Sequence, residues 1–313
     1  MKVALAQIAP VLLDRDSTLA RVCDAMNTAS DAQLIVFGEG LLPGYPFWVE
    51  RTDGARFNSD TQKEWYSRYL SAAIDIDTGD LAVVCDLARE LNLAVYLGIM
   101  EKPIERGGHS LYASLVYIDA AGQIQSVHRK LMPTYEERLV WSPGDGHGLV
   151  AHELGEFRVG GLNCWENWMP LARAALYAQG VNLHVAVWPG NLNNTEWITR
   201  FIARESRSFV VSVSGLMREE DLNSDAMPDT QWHADQTLAN GGSCVAGPDG
   251  EWLLEPVIDK SGVFVVELDR QDINRERQNF DPSGHYARPD VLQLSVNRER
   301  LKPAVFNDEE PET

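Results

Sequence analysis

Four cysteines are spread through this 313-residue chain, and Cys164 is the one placed to act as a nucleophile. Residues 157–163 read as a strand running into it, Gly160 and Gly161 let that strand approach its neighbours closely, and a helical pattern over residues 170–179 begins just beyond. A turn from strand to helix exposes a side chain. The N–H groups of a helix start carry partial positive charge, so they would pull the thiol below its free pKa of about 8.5 and hold a developing anion. Cys23 and Cys85 fall on the apolar stripes of helices read at residues 18–29 and 80–91, and Cys244 has no comparable turn. All three are expected in the core, where cysteine is commonly buried.

A thiol nucleophile needs a base and a countercharge. Glu39 follows the apolar run Leu34-Ile35-Val36-Phe37 and precedes Leu41-Leu42-Pro43, so its neighbours predict a dry setting. Burial raises a carboxyl pKa, and a carboxylate tuned upward can take a thiol proton and later return it to a leaving amine. Lys130 closes a hairpin in His128-Arg129-Lys130, and Glu137 lies seven residues on; in isolation both read as ordinary surface charges. The segment that carries Glu137, residues 131–148, reads as a long ordered loop, which in a compact domain points to function.

The elements that must hold these residues alternate in type. Residues 2–8 read as a strand, 18–29 as a helix capped by Ser17 with Leu19, Val22, Cys23 and Met26 on one stripe, and 34–37 as a strand: a β-α-β start to an α/β fold. Residues 47–77 suit a loop and helix excursion. The helix at 80–91 leads to a strand at 93–100, and a hairpin, 111–118 and 123–128, turns at Asp119-Ala120-Ala121-Gly122. After Cys164 come the helix closed by Gly180, a strand at 183–188, a helix at 195–208 and a strand at 210–213. Residues 217–240 read as a polar surface excursion; strands at 243–246, 251–254 and 262–268 and a short helix at 272–277 complete the pattern. Residues 1–280 are thus expected to form one domain and 281–313 a polar tail whose acidic end, Asp308 to Glu312, is mobile.

Composition excludes several classes. A net charge of −19 opposes binding to nucleic acid or anionic lipid. No apolar stretch approaches the roughly 20 residues that span a bilayer, and Gln7, Pro10, Asp14 and Asp16 break the resemblance of the N-terminus to a signal peptide. The cysteines form no CxxC pair, which argues against a zinc site or a disulfide framework and favours a reducing cytoplasm. His152-Glu153-Leu154-Gly155-Glu156 lacks the second histidine of HExxH, and no GxSxG, Walker A or dinucleotide fingerprint occurs. No metal or cofactor is expected.

Three segments together resemble the nitrilase superfamily: Phe37-Gly38-Glu39-Gly40-Leu41-Leu42-Pro43-Gly44-Tyr45-Pro46, His128-Arg129-Lys130-Leu131-Met132-Pro133-Thr134, and Gly161-Leu162-Asn163-Cys164-Trp165-Glu166-Asn167. They resemble the segments that supply that superfamily's Glu-Lys-Cys triad, and Glu137 resembles its second glutamate. The resemblance implies a four-layer α-β-β-α sandwich, paired as an αββα-αββα dimer or built into a modest homo-oligomer, with Glu39, Lys130, Cys164 and Glu137 as catalytic residues and the backbone N–H of Trp165 or Glu166 holding negative charge. Cys164-Trp165-Glu166 and Trp141 before Gly144-Asp145-Gly146 look like true nitrilases, implying a small nitrile and water as the partners. Gly38 departs from the usual proline. Tyr45, Trp141, Trp165, Trp188 and Pro189 would wall the pocket, ordinary core packing being the alternative. An amidase or N-carbamoyl hydrolase would use the same four residues, and a scaffold without activity would need none of them.

Overall fold

The computed structural model describes residues 1–218, 221 and 238–304. In chain order its strands and α-helices are β1 (Lys2–Gln7), α1 (Arg15–Thr28), β2 (Leu34–Phe37), α2 (Trp48–Arg51), α3 (Asp60–Ala72), α4 (Ala82–Leu91), β3 (Ala94–Glu101), β4 (Tyr112–Ile118), β5 (Ile124–Arg129), β6 (His152–Leu154), β7 (Phe157–Asn163), α5 (Pro170–Tyr177), β8 (Leu183–Trp188), α6 (Leu192–Ser206), β9 (Phe209–Ser214), β10 (Leu216–Met217), β11 (Ala239–Ala246), β12 (Trp252–Ile258), β13 (Gly262–Glu267) and α7 (Arg270–Arg277).

Two mixed sheets result. The first runs β13-β1-β2-β3-β4-β5, and the second β10-β11-β9-β8-β7-β6 with β12 on β11. β1, β2 and β3 are mutually parallel, as are β7, β8 and β9. Their side chains alternate between two destinations, as the pleat requires. Val3, Leu5, Val36, Tyr96 and Leu115 meet Val159, Val185, Val211 and Val245 between the sheets. The opposite side chains, Ala4, Ile35, Val95 and Val116, pack under α1 and α4. On the far side Leu162, Leu176, Ala186, Ile198 and Ile202 join the second sheet to α5 and α6. The order of layers is therefore α-β-β-α, and strands buried on both faces explain the near-continuous apolar runs of β2, β3 and β8.

Local differences from the expected elements have local causes. Asp14, not Ser17, caps α1: its carboxylate accepts from the Ser17 N–H at 2.9 Å, so the helix begins three residues early. The buried stripe of α1 comprises Leu19, Val22, Ala25 and Met26, which leaves Cys23 half-buried at its margin rather than in the core. Cys85, on α4, is also half-buried and packs against the core beneath that helix, while Cys244 is fully buried. The excursion at 47–77 supplies α2 and α3, whose Trp48, Trp65 and Tyr69 form an aromatic satellite core. Residues 281–304 contain no helix or strand, yet they are anchored: Arg300 pairs with Asp145 at 3.0 Å and donates to the Val127 carbonyl at 2.9 Å along β5. The acidic end and most of the 217–240 excursion lie outside the described residues.

Candidate active site

Three strand ends converge. Glu39 follows β2 by two residues, Lys130 follows β5 directly, and Cys164 follows β7 directly. Glycine permits the close fit at the first of these: a Cβ on Gly98 would fall 2.1 Å from the Gly38 carbonyl oxygen, so the loop that carries Glu39 lies flat on β3. The Glu39 N–H donates to the Trp188 carbonyl at 3.2 Å, tying the end of the first sheet to β8 of the second. Lys130 donates its N–H to the Ala113 carbonyl at 2.8 Å and so stays in register with β4 beyond the strand proper.

The side chains form one buried cluster. The Lys130 ammonium, 1% exposed, lies 2.6 Å from Glu137 Oε2 and 2.9 Å from Glu39 Oε1. One carboxylate oxygen of each glutamate and the Cys164 sulfur lie within 4.8 Å of one another. Glu137 has three donors, the ammonium at 2.6 Å, the Thr134 N–H at 2.6 Å and the Tyr45 hydroxyl at 2.8 Å. Glu39 has the ion-pair contact but no well-aligned hydrogen bond, which leaves its oxygens free to take a proton. Two carboxylates and a thiol also make a plausible donor set for a cation, but the ammonium already stands among them.

Burial dominates the electrostatics. It pushes Glu39 up to about 8; the charge of Lys130 opposes that shift and that of Glu137 adds to it. Burial works against the charge of Lys130, yet Cys164, Glu39 and Glu137 around it hold the ammonium above its usual range. The thiol behaves otherwise than the sequence predicts. Burial drives Cys164 well above its ordinary value, against the pull of Lys130 and with the push of Glu39 and Glu137; the Trp165 N–H, the least of these influences, lowers it. No α-helix starts at the sulfur: residues Cys164–Trp168 form a 3₁₀ turn, and α5 begins at Pro170. At this position burial favours the neutral thiol over the thiolate.

Cys164 itself adopts φ 49°, a left-handed conformation that costs a β-carbon-bearing residue energy unless neighbours enforce it. Asn167 does so. Its side-chain amide donates to the Cys164 carbonyl at 2.9 Å and the Leu162 carbonyl at 3.3 Å, while its oxygen meets His184 Nε2 at 2.7 Å.

The aromatic residues expected at the pocket take different places. Tyr45 and Trp141 flank the cluster, edge to face at 5.4 Å, with the Lys130 ammonium 5.4 Å from the Trp141 ring. Pro189 joins Glu39, Tyr45 and Phe47 in a crevice that also includes Pro10, Gly215, Leu216 and Met217. Trp188 is wholly buried, packed in the cluster that contains Cys164. Trp165 is 52% exposed, beside Trp168 at 6.3 Å, and is not part of that crevice. The crevice residues after β9 had no sequence signal, because only the closure of the second sheet brings them near Glu39. Asn167 was in view within the nucleophile segment, but its role depends on His184, seventeen residues away on β8.

Two mixed sheets whose convergent ends enclose a thiol, a lysine and two carboxylates define a class. The carbon-nitrogen hydrolase family matches residues 2–278, and the chain belongs to it. An aliphatic nitrilase from Rhodococcus rhodochrous is 33% identical over 98% of this chain and 82% of its own length, and nitrilase 2 of Arabidopsis thaliana 32% identical over 98% and 91%. The fold matches the crystal structure of a carbon-nitrogen hydrolase from Helicobacter pylori G27 with a TM-score of 0.69 at 20% identity, covering 93% of this chain and 96% of that one. An amidase from Nesterenkonia sp. matches with a TM-score of 0.62 at 19% identity, covering 89% and 94%.

Proposed function

We propose that this protein is a nitrilase that converts an organic nitrile to its carboxylic acid and ammonia. The observation that supports this reading is the end-to-end similarity to proteins named nitrilases, at 33% and 32% identity over 98% of this chain. In this reading Glu39 accepts the Cys164 proton and hands it to the nitrile nitrogen as the thiolate adds to the nitrile carbon, giving a thioimidate. Water adds, Glu39 carries its protons to the nitrogen, ammonia leaves, and a thioester remains. A second water, deprotonated by Glu39, releases the acid and restores the thiol. Lys130 and the Trp165 N–H face the charge that develops in the two tetrahedral species. Glu137 keeps Lys130 charged and aimed, and Tyr45, Trp141 and Pro189 border the substrate.

Incubation with paired nitriles and amides of the same acyl group tests the assignment. Ammonia and acid from at least one nitrile are expected, with the matching amide slower. Turnover of amides or N-carbamoyl compounds with none of any nitrile would replace the nitrilase reading by its alternative, and no turnover of either would favour a scaffold.

The working unit in this reading is a homodimer in a reducing cytoplasm, with four unpaired thiols in keeping with that compartment. Trp197 and Leu171, 73% and 69% exposed, lie with Trp168 and Phe201 on α5, α6 and the turn before them, more large apolar surface than a helical face usually leaves in water. A second copy laid against this face would extend the layers to αββα-αββα. Sedimentation should find a dimer for the wild type and a monomer for Trp197→Glu; a monomeric wild type would refute the pairing.

A further inference from the structure

Glu166 is buried to 1% exposure behind the nucleophile, and the mechanism above gives its side chain no task. Its oxygens reach two chain segments at once. Oε2 accepts from the Asn163 N–H at 2.8 Å, and Oε1 accepts from the Leu131 N–H. His128 Nε2 lies 3.2 Å from Oε1 and 3.1 Å from Oε2, donating to the carboxylate. Asn163 immediately precedes Cys164, and Leu131 immediately follows Lys130. One carboxylate thus spans β7 of the second sheet and the end of β5 of the first.

The loop over this pair is packed too tightly to admit slack. A Cβ at Gly148 would fall 2.2 Å from the His128 Cα, and one at Gly144 2.2 Å from the Arg129 carbonyl oxygen. Burial disfavours the Glu166 charge, but His128 and the two backbone N–H groups outweigh it and keep the carboxyl below its usual range.

We propose that Glu166 is a positioning residue: by clamping the Leu131 and Asn163 N–H groups it fixes the separation between the Lys130 ammonium and the Cys164 thiol across the two sheets. The inference rests on Lys130 and Cys164 acting together, as in the function proposed above, but not on the substrate being a nitrile. The requirement is geometric. Only a group that accepts on both oxygens can hold two N–H donors facing it from opposite segments, and a carboxylate does so while an amide does not.

Glu166→Gln is the sharp test, because it keeps size and shape but turns an amide NH₂ toward one of the two N–H groups and opens the clamp on that side. The readout is the pH profile of Cys164 alkylation by iodoacetamide, which needs no substrate and reports the field at the sulfur. That field comes from Lys130, Glu39, Glu137 and the Tyr45 hydroxyl; Glu166 itself faces His128 and acts on Glu39. With the ammonium displaced, the inflection should move up by about one pH unit and the alkylation rate at pH 7 should fall about tenfold. A lowered melting temperature with an unchanged profile would reduce Glu166 to a structural staple and overturn the proposal. If Glu166→Gln fails to fold, Glu166→Asp, charged but one methylene short, replaces it: an intermediate shift is expected, and a wild-type profile refutes the clamp. Failure to turn over nitriles would count against the proposed function and leave this measurement untouched.

Discussion

Replacing Cys164 by alanine should abolish carbon-nitrogen hydrolysis, and replacing it by serine should lower kcat by about 10³-fold or more, with little loss of stability in either case. The serine result is the more informative. The residue is buried, and burial already drives the thiol well above its ordinary value. A hydroxyl in the same place is a far weaker acid, whereas the carboxyl of Glu39, the base in the proposed function, is pushed up only to about 8. That value suits a base that works near neutral pH on a thiol; it leaves too large a gap for an alcohol. Steady-state ammonia release measures the loss, and intact-protein mass after brief exposure to substrate should show an acyl adduct on the wild type and none on Cys164→Ala. A serine variant that kept more than about a tenth of wild-type kcat would mean that the sulfur is not the attacking atom.

How far these features can be read from sequence depends on the range of the interaction. The β-α-β alternation was legible because strands such as Leu183–Trp188 are buried on both faces and read as unbroken apolar runs. The burial of Glu39 was legible for the same reason, since its neighbours on both sides are apolar. The height of the Cys164 pKa was not. A local reading sees glycines and a coming helix and predicts a lowered thiol; the outcome is set by burial in a cluster with Trp188, Ile198 and Ile202, which come from other strands and helices. Lys130 shows the same limit. At the end of a hairpin it reads as a surface charge, and only the juxtaposition of the two sheets buries it between residues 39 and 137. Family resemblance brought Glu39, Lys130, Glu137 and Cys164 into one list, whereas Glu166 and Asn167, whose partners lie on other strands, acquire roles only from the fold.

Lys130→Met should cost both activity and stability, and the stability loss should depend on pH in a direction that identifies its cause. Removing one member of a buried ion pair typically costs about 3–5 kcal/mol, because the partner is left charged and dry. Here two partners are left, Glu39 and Glu137, 3% and 1% exposed. Their remedy is to bind protons. Burial already holds Glu39 above its ordinary value with Lys130 present, and without the opposing charge of the ammonium it is expected to rise further. A carboxyl whose pKa is raised in the folded state binds more protons there than in the unfolded chain. Its contribution is therefore fully present below the unfolded value near 4.5 and is lost as pH rises through the folded value, by up to about 1.4 kcal/mol per pH unit for each group. The wild type should lose stability gently between pH 5 and pH 8, about one group's worth, whereas Lys130→Met should lose it more steeply and become least stable in mild alkali. Urea unfolding at several pH values separates the two slopes. Equal slopes would show that Glu137 does not depend on Lys130 for its charge, and the ammonium would then serve the reacting atoms alone.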